Sequence, residues 1–133
     1  MSKTLLVVDD AAIIRELIKD AARENDWQIV GEAANGQQAI EQFRVLRPDA
    51  VTLDLVMPVY DGLHALSGIM EIDSTAQVLV VSALDQTKVL RDALERGARD
   101  FIVKPFERAR LAAALECMFD SAQSTATADT EGG

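Results

Sequence analysis

Apolar residues fall along the chain in two alternating rhythms. Residues 4–8 (TLLVV), 50–54 (AVTLD), 77–81 (QVLVV) and 100–103 (DFIV) are short, nearly unbroken apolar runs rich in β-branched side chains. Such runs are expected of strands covered on both faces. Residues 28–33 (QIVGEA) read as one more strand. Between these runs, apolar residues recur every three or four positions. Ile13, Ile14, Leu17, Ile18, Ala21 and Ala22 form one set, and Ala39, Ile40, Phe43 and Leu46 a second. Leu66, Ile69 and Met70 form a third; Val89, Leu90, Ala93 and Leu94 a fourth; Leu111, Leu115, Met118 and Phe119 a fifth. That spacing predicts five helices.

Punctuation residues refine the boundaries. Asp10 is placed to cap the first helix and Asp85 the fourth. Asn35-Gly36 reads as a turn. Pro48 ends the second helix, and Gly97 lies near the end of the fourth. A loop holding Pro58 and Asp61-Gly62 precedes the third helix. Five strands alternating with five helices predict an α/β domain, a doubly wound parallel sheet with helices on both faces and right-handed crossovers. Residues 1–120 make this domain. From 121 to 133 the chain is Ser, Thr, Ala, Asp and Gly with almost nothing to bury, so a flexible tail is expected.

Composition narrows the function. At 49% hydrophobic and 26% charged residues, the 133-residue chain suits one ordinary globular core. One cysteine, Cys117, precludes an intramolecular disulfide, and with His64 the only histidine a zinc site lacks its usual ligands. Cys117 reads as a small core residue and His64 as a solvated or half-buried helix residue. This fits a cytoplasmic protein, with no segment able to span a bilayer. The net charge of −9 argues against direct nucleic-acid binding. The charge is uneven, however. Residues 86–110 hold seven basic residues (Lys88, Arg91, Arg96, Arg99, Lys104, Arg108, Arg110) against four acids (Asp92, Glu95, Asp100, Glu107), a balance of +3 that leaves −12 elsewhere.

In open parallel α/β sheets ligands bind beyond the carboxyl ends of the strands. Asp9 and Asp10 follow the first run, Asp54 ends the third, Ser82 follows the fourth and Lys104 the fifth. Taken singly, each has a plainer reading: Asp10 a helix cap, Asp54 a loop acid, Ser82 a turn residue, Lys104 a solvated lysine. Taken together, polar residues of matched kinds follow four buried strands. Three carboxylates in one pocket repel one another, and a hard divalent cation such as Mg²⁺ relieves the repulsion. With an ammonium and a hydroxyl added, the set suits a phosphoryl group. Attack by a carboxylate oxygen on phosphorus, giving an acyl phosphate, is the chemistry it can support.

The motifs VVDD at 7–10, LDLVMPVYDG at 53–62, VVSA at 80–83 and FIVKPF at 101–106 resemble the receiver domains of two-component response regulators, similar to stand-alone chemotaxis-type receivers. The resemblance implies a flavodoxin-like fold with strand order 2-1-3-4-5. It implies phosphorylation of Asp54 by a phosphohistidine on a sensor histidine kinase or phosphotransfer protein. Mg²⁺ would be held by Asp9, Asp10, Asp54 and the backbone carbonyl of Val56. Lys104 would pair with the acceptor and then with a phosphoryl oxygen, and Ser82 would turn inward to bond the phosphoryl group. Phe101 matches the aromatic switch position, moving into the space Ser82 leaves. A cis Lys104–Pro105 bond is implied as well.

The chain would not be an enzyme beyond self-catalysed transfer and slow autodephosphorylation. Val56 and Leu84, two residues after Asp54 and Ser82, are apolar and cannot orient a hydrolytic water. Tyr60 stands where methionine is frequent. Output would run through the face of helix four, strand five and helix five, where Lys88, Arg91, Arg96 and Arg99 could meet an acidic target or a second copy. The chain would be a monomer or a phosphorylation-dependent dimer. A receiver portion of a longer DNA-binding regulator is the alternative, with residues 121–133 beginning a linker. An aspartate-nucleophile phosphatase needs a second aspartate where Val56 stands, and a flavodoxin needs a Ser/Thr-rich phosphate loop after the first strand.

Overall fold

The structure is a computed structural model and describes residues 3–57, 61–83 and 87–123. Expectations about Pro58, Tyr60, Leu84, Asp85, the Phe119 side chain and the tail at 124–133 lie outside the described residues. The elements alternate as β1 (Lys3–Val8), α1 (Ala12–Arg23), β2 (Trp27–Ala33), α2 (Gly36–Leu46), β3 (Ala50–Asp54), α3 (Gly62–Ile72), β4 (Gln77–Ala83), α4 (Thr87–Glu95), β5 (Asp100–Lys104) and α5 (Arg108–Gln123). All strand pairs are parallel, in the order β2-β1-β3-β4-β5. The helix α5 runs to Gln123, past the boundary at 120 expected from sequence.

The sheet divides the core in two. Leu5, Val7, Leu79, Val81 and Ile102 face Ile18, Ala21 and Ala22 of α1 and Leu111, Leu115 and Met118 of α5. Leu6, Val8, Val51, Leu53, Val78 and Val80 face Phe43 of α2, Leu66 and Ile69 of α3 and Ala93 of α4. Alternate strand residues supply the two clusters, which is why β3 and β4 read as unbroken apolar runs. Each fully buried Leu or Ile contributes about 1.5–3 kcal/mol, enough to make the sheet a rigid platform for its carboxyl edge.

Local signals differ from expectation in four places. Asp10 is not a cap: Ala11 is the N-cap residue of α1, with no side-chain cap hydrogen bond. Asn35-Gly36 is not a separate turn; Asn35 caps α2 by accepting from Gln38 N, and Gly36 is already helical. The second helix does end before Pro48, with Arg47 in the left-handed region at φ 45°. Strand β4 runs two residues beyond Val81, so Ser82 belongs to the strand rather than to a turn. Cys117 is exposed rather than in the core, because α5 turns Ala114, Leu115 and Met118 inward. His64 is exposed, as expected.

Candidate phosphoryl and metal site

Strand register brings the polar residues to one rim. Val8 pairs with Leu53, so Asp9 stands level with Asp54 across the β1–β3 ladder. Asp54 pairs with Val81, and Ser82 is the next residue along β4. Ala83 pairs with Lys104, which places the lysine at the same edge on β5. The expected cis Lys104–Pro105 bond is present.

Asp9 is wholly buried and Asp54 is 4% exposed, while Asp10 is exposed to solvent. Asp9, Asp10 and Asp54 can each offer one carboxylate oxygen such that all three lie within 4.8 Å of one another. Lys104 Nζ is 3.0 Å from Asp9 Oδ2 and 3.5 Å from Asp54 Oδ1. The contact to Asp9 Oδ2 is an ion pair without hydrogen-bond geometry, so this buried oxygen accepts no well-directed donor among the described residues. A cation fits that deficiency. The all-carboxylate donor set suits a hard ion such as Mg²⁺.

Other backbone bonds shape the pocket. Asp9 N donates to the Ala33 carbonyl at 3.0 Å, extending the β1–β2 ladder by one residue. Asp9 Oδ1 accepts from Ala11 N at 2.9 Å. Asp54 Oδ1 accepts a long bond, 3.3 Å, from Val56 N. The Gly62 N–H donates to the Leu55 carbonyl at 2.9 Å, tying the start of α3 to the segment that follows Asp54. The Ser82 hydroxyl is fully buried and lies 3.4 Å from the Ala83 carbonyl. Val56 exposes 52% of its surface at the mouth.

Burial raises the Asp54 carboxyl to about 6, with the charges of Asp9 and, to a lesser degree, Asp10 pushing the same way; Lys104 and the Val56 N–H oppose them. Asp54 is therefore a carboxyl group held in a charge environment unfavourable to its ionised form. A divalent ion or an electrophilic phosphorus would relieve it.

The geometry thus unites Asp9, Asp10, Asp54, Ser82 and Lys104. Phe101 is separate: half-buried on β5 opposite Val80, it packs against the core cluster on the α2–α4 side, as Val89 and Leu90 of α4 do. Sequence reasoning missed Arg15, Lys19 and Glu32. Arg15 donates to the Asp9 carbonyl at 2.7 Å and to Glu32 at 2.9 Å, and Lys19 donates to Glu32 at 2.7 Å. The signal was a lysine among the inward positions of α1 and a glutamate within an apolar strand.

A sequence profile described as the response regulator receiver domain matches residues 5–116. The chain is similar to the chemotaxis protein CheY of Thermotoga maritima, 44% identical over 86% of this chain and 96% of the relative. It is similar to CheY of Listeria monocytogenes, 46% identical over 84% of this chain and 94% of the relative. Among solved structures it resembles a chain of the CheX–CheY–BeF3–Mg complex from Borrelia burgdorferi, with a TM-score of 0.84 and 34% identity over 88% of this chain and 89% of that one.

Proposed function

The chain belongs to the response regulator receiver family, and from that premise we propose that Asp54 is its phospho-acceptor, with Mg²⁺ held by Asp9, Asp10, Asp54 and the Val56 carbonyl. The observation that carries this reading is the single rim where three carboxylate oxygens lie within 4.8 Å of one another and Lys104 bridges two of the acids. One oxygen of Asp54 attacks the phosphorus of a phosphohistidine on a sensor kinase or phosphotransfer protein. A new O–P bond forms, the N–P bond breaks and the imidazole leaves. Mg²⁺ supplies charge neutralisation for the acids and the phosphoryl oxygens. Lys104, already poised between Asp9 and Asp54, follows the transferred charge to a phosphoryl oxygen. The Ser82 hydroxyl reorients toward the group, and Phe101 turns into the space it leaves. Catalysis of this transfer resides in the receiver itself, followed by slow loss of the phosphoryl group.

Output runs through α4, β5 and α5. Lys88, Arg91 and Arg99 are exposed there and suit an acidic partner surface or a second copy. Arg96 is already engaged, donating to the Leu63 carbonyl at 3.3 Å and Ser67 Oγ at 3.1 Å, so it ties α4 to α3 before it can serve a partner. Among the described residues no helix is long and apolar enough to cross a membrane. A cytoplasmic setting suits a protein that meets a kinase's phosphohistidine, and the net charge of −9 disfavours direct nucleic-acid contact.

The test is incubation with acetyl phosphate and Mg²⁺, followed by intact-mass measurement. A single phosphoryl adduct is expected on the parent, lost with a chelator and lost in Asp54→Asn. An adduct that survives in Asp54→Asn would remove Asp54 from the role.

A further inference from the structure

The acid pair sits on the loop between β1 and α1. Helix α1 begins at Ala12 without a side-chain cap and has no acid in its first turn. Beside the bonds of Asp9 to Ala11 N and to the Ala33 carbonyl, the loop is held by Arg15, one turn into the helix. Its Nη1 donates to the Asp9 carbonyl at 2.7 Å while its Nε donates to Glu32 Oε1 on β2 at 2.9 Å. Glu32 Oε2 accepts from Lys19 Nζ at 2.7 Å, and Lys19 also pairs with Glu16 at 2.7 Å. Lys19 and Arg15 hold the Glu32 carboxyl below its ordinary value, so Glu32 stays a carboxylate at neutral pH. The cations are the enclosed members: the Lys19 side chain is 10% exposed and that of Arg15 20%, while Glu32 is 38% exposed and Glu16 faces solvent.

We propose that Arg15 is a positioning residue for the metal-binding acids: its bond to the Asp9 carbonyl fixes the Asp9–Asp10 peptide, and Glu32 fixes Arg15. The carbonyl belongs to the peptide that joins the two acids. Its orientation sets where the exposed Asp10 carboxylate stands relative to buried Asp9 and Asp54. A free loop would lose entropy on gathering three carboxylates around one ion, and the clamp removes much of that cost in advance. The inference rests on the Mg²⁺ reading above.

Two physical roles for Arg15 predict opposite signs. As a mere positive charge near the acids, it opposes a dication, so its removal tightens Mg²⁺ binding. As a clamp, its removal weakens binding. Calorimetric titration of the metal-free protein with Mg²⁺ separates them. Arg15→Met keeps most of the apolar stem and loses every donor; its dissociation constant should rise about tenfold, the scale of other outer contacts that orient metal ligands. Arg15→Lys keeps the charge but lacks the fork that serves two acceptors at once, and should also weaken binding. Asp49→Ala is the stability control. Asp49 accepts from Thr4 N and Thr4 Oγ1 at the opposite end of β1, and its loss should leave the Mg²⁺ constant unchanged. Tighter or equal binding in Arg15→Met, or equal weakening in Asp49→Ala, overturns the clamp. A parent that binds no Mg²⁺ overturns the metal reading itself, so the two failures are distinct.

Discussion

Lys104 stands closer to Asp9 than to Asp54: its Nζ is 3.0 Å from Asp9 Oδ2 and 3.5 Å from Asp54 Oδ1. The ammonium is thus anchored by a wholly buried acid other than the proposed acceptor. It can keep that anchor while its remaining hydrogens follow charge from the Asp54 carboxylate to an incoming phosphoryl oxygen. Lys104→Met should slow adduct formation from acetyl phosphate about 100-fold, the scale of removing one preorganised electrostatic partner. The measurement is the rate of mass gain at saturating Mg²⁺. An unaltered rate would mean that the ammonium is a structural partner of Asp9 alone.

The raised carboxyl of Asp54 makes a pH prediction whose sign is fixed. Its value is about 6 in the metal-free fold against 3.8 for an ordinary aspartate, so the folded state holds the proton more tightly than the unfolded chain does. The folded state is favoured by this group below 3.8, and that advantage is lost as pH rises to about 6. Above that range the ionised acceptor destabilises the fold by up to about 3 kcal/mol. In chelator, Asp54→Asn should therefore melt at a higher temperature than the parent near neutral pH. The difference should shrink as pH falls toward the ordinary aspartate range. Mg²⁺ should narrow the gap at neutral pH by binding the parent's carboxylate. Thermal melts across this range, with and without Mg²⁺, check all three; a gap that widens on acidification contradicts the burial argument.

Most of the architecture was legible because strand and helix periodicities are distinct and four of the five strands carry a polar residue at or just beyond their apolar run. Asp54, Ser82 and Lys104 could be placed on one rim before any coordinates, since parallel strands in register bring their carboxyl ends together. What could not be read were effects of side-chain direction. Asp10 precedes an apolar run in the manner of a cap, yet Ala11 holds that position and Asp10 is left exposed beside Asp9 and Asp54. Asn35-Gly36 has the composition of a turn, but Asn35 reaches Gln38 N and starts a helix. Arg15 and Lys19 lie one turn apart on α1, but Glu32 is on the next strand, and only the packing of α1 on β2 makes them one network.

Gly62 carries a constraint hidden in a sequence pattern that suggests only a flexible turn. A Cβ there would lie 2.3 Å from the Asp54 carbonyl oxygen and 2.4 Å from Leu55 Cα, both backbone atoms of the acceptor segment. Neither can swing aside as a side-chain tip could. Gly62→Ala should cost about 1–3 kcal/mol of stability through overpacking. Because the strain falls on Asp54 and Leu55, phosphorylation should fall as well. Gly31→Ala is the informative comparison: its added Cβ meets the Gln42 and Leu46 side chains and not the backbone of Asp54 and Leu55. Denaturant melts and acetyl phosphate labelling of both variants would show stability loss in each but a labelling defect in Gly62→Ala only. Equal labelling defects would mean that general destabilisation, not the acceptor backbone, is responsible.

Val56 bears on how long a phosphoryl group would last. Its N–H reaches Asp54 Oδ1 at 3.3 Å, so the residue lies against the acceptor, and 52% of it faces solvent. Water can approach this side of the site, but an isopropyl group offers it no hydrogen bond. Hydrolysis of an acyl phosphate needs a water aligned with the phosphorus, and proximity without orientation forfeits much of the possible acceleration. Val56→Asn adds a carboxamide where a water could be held, while the backbone N–H and carbonyl stay in place. The expected outcome is a shorter acyl-phosphate lifetime with an unchanged rate of formation. Labelling to completion, removing the donor and following adduct loss by mass would measure it. If decay were unchanged, hydrolysis would be limited by something other than the orientation of water beside residue 56. If formation slowed in parallel, the substitution would have disturbed the acceptor itself.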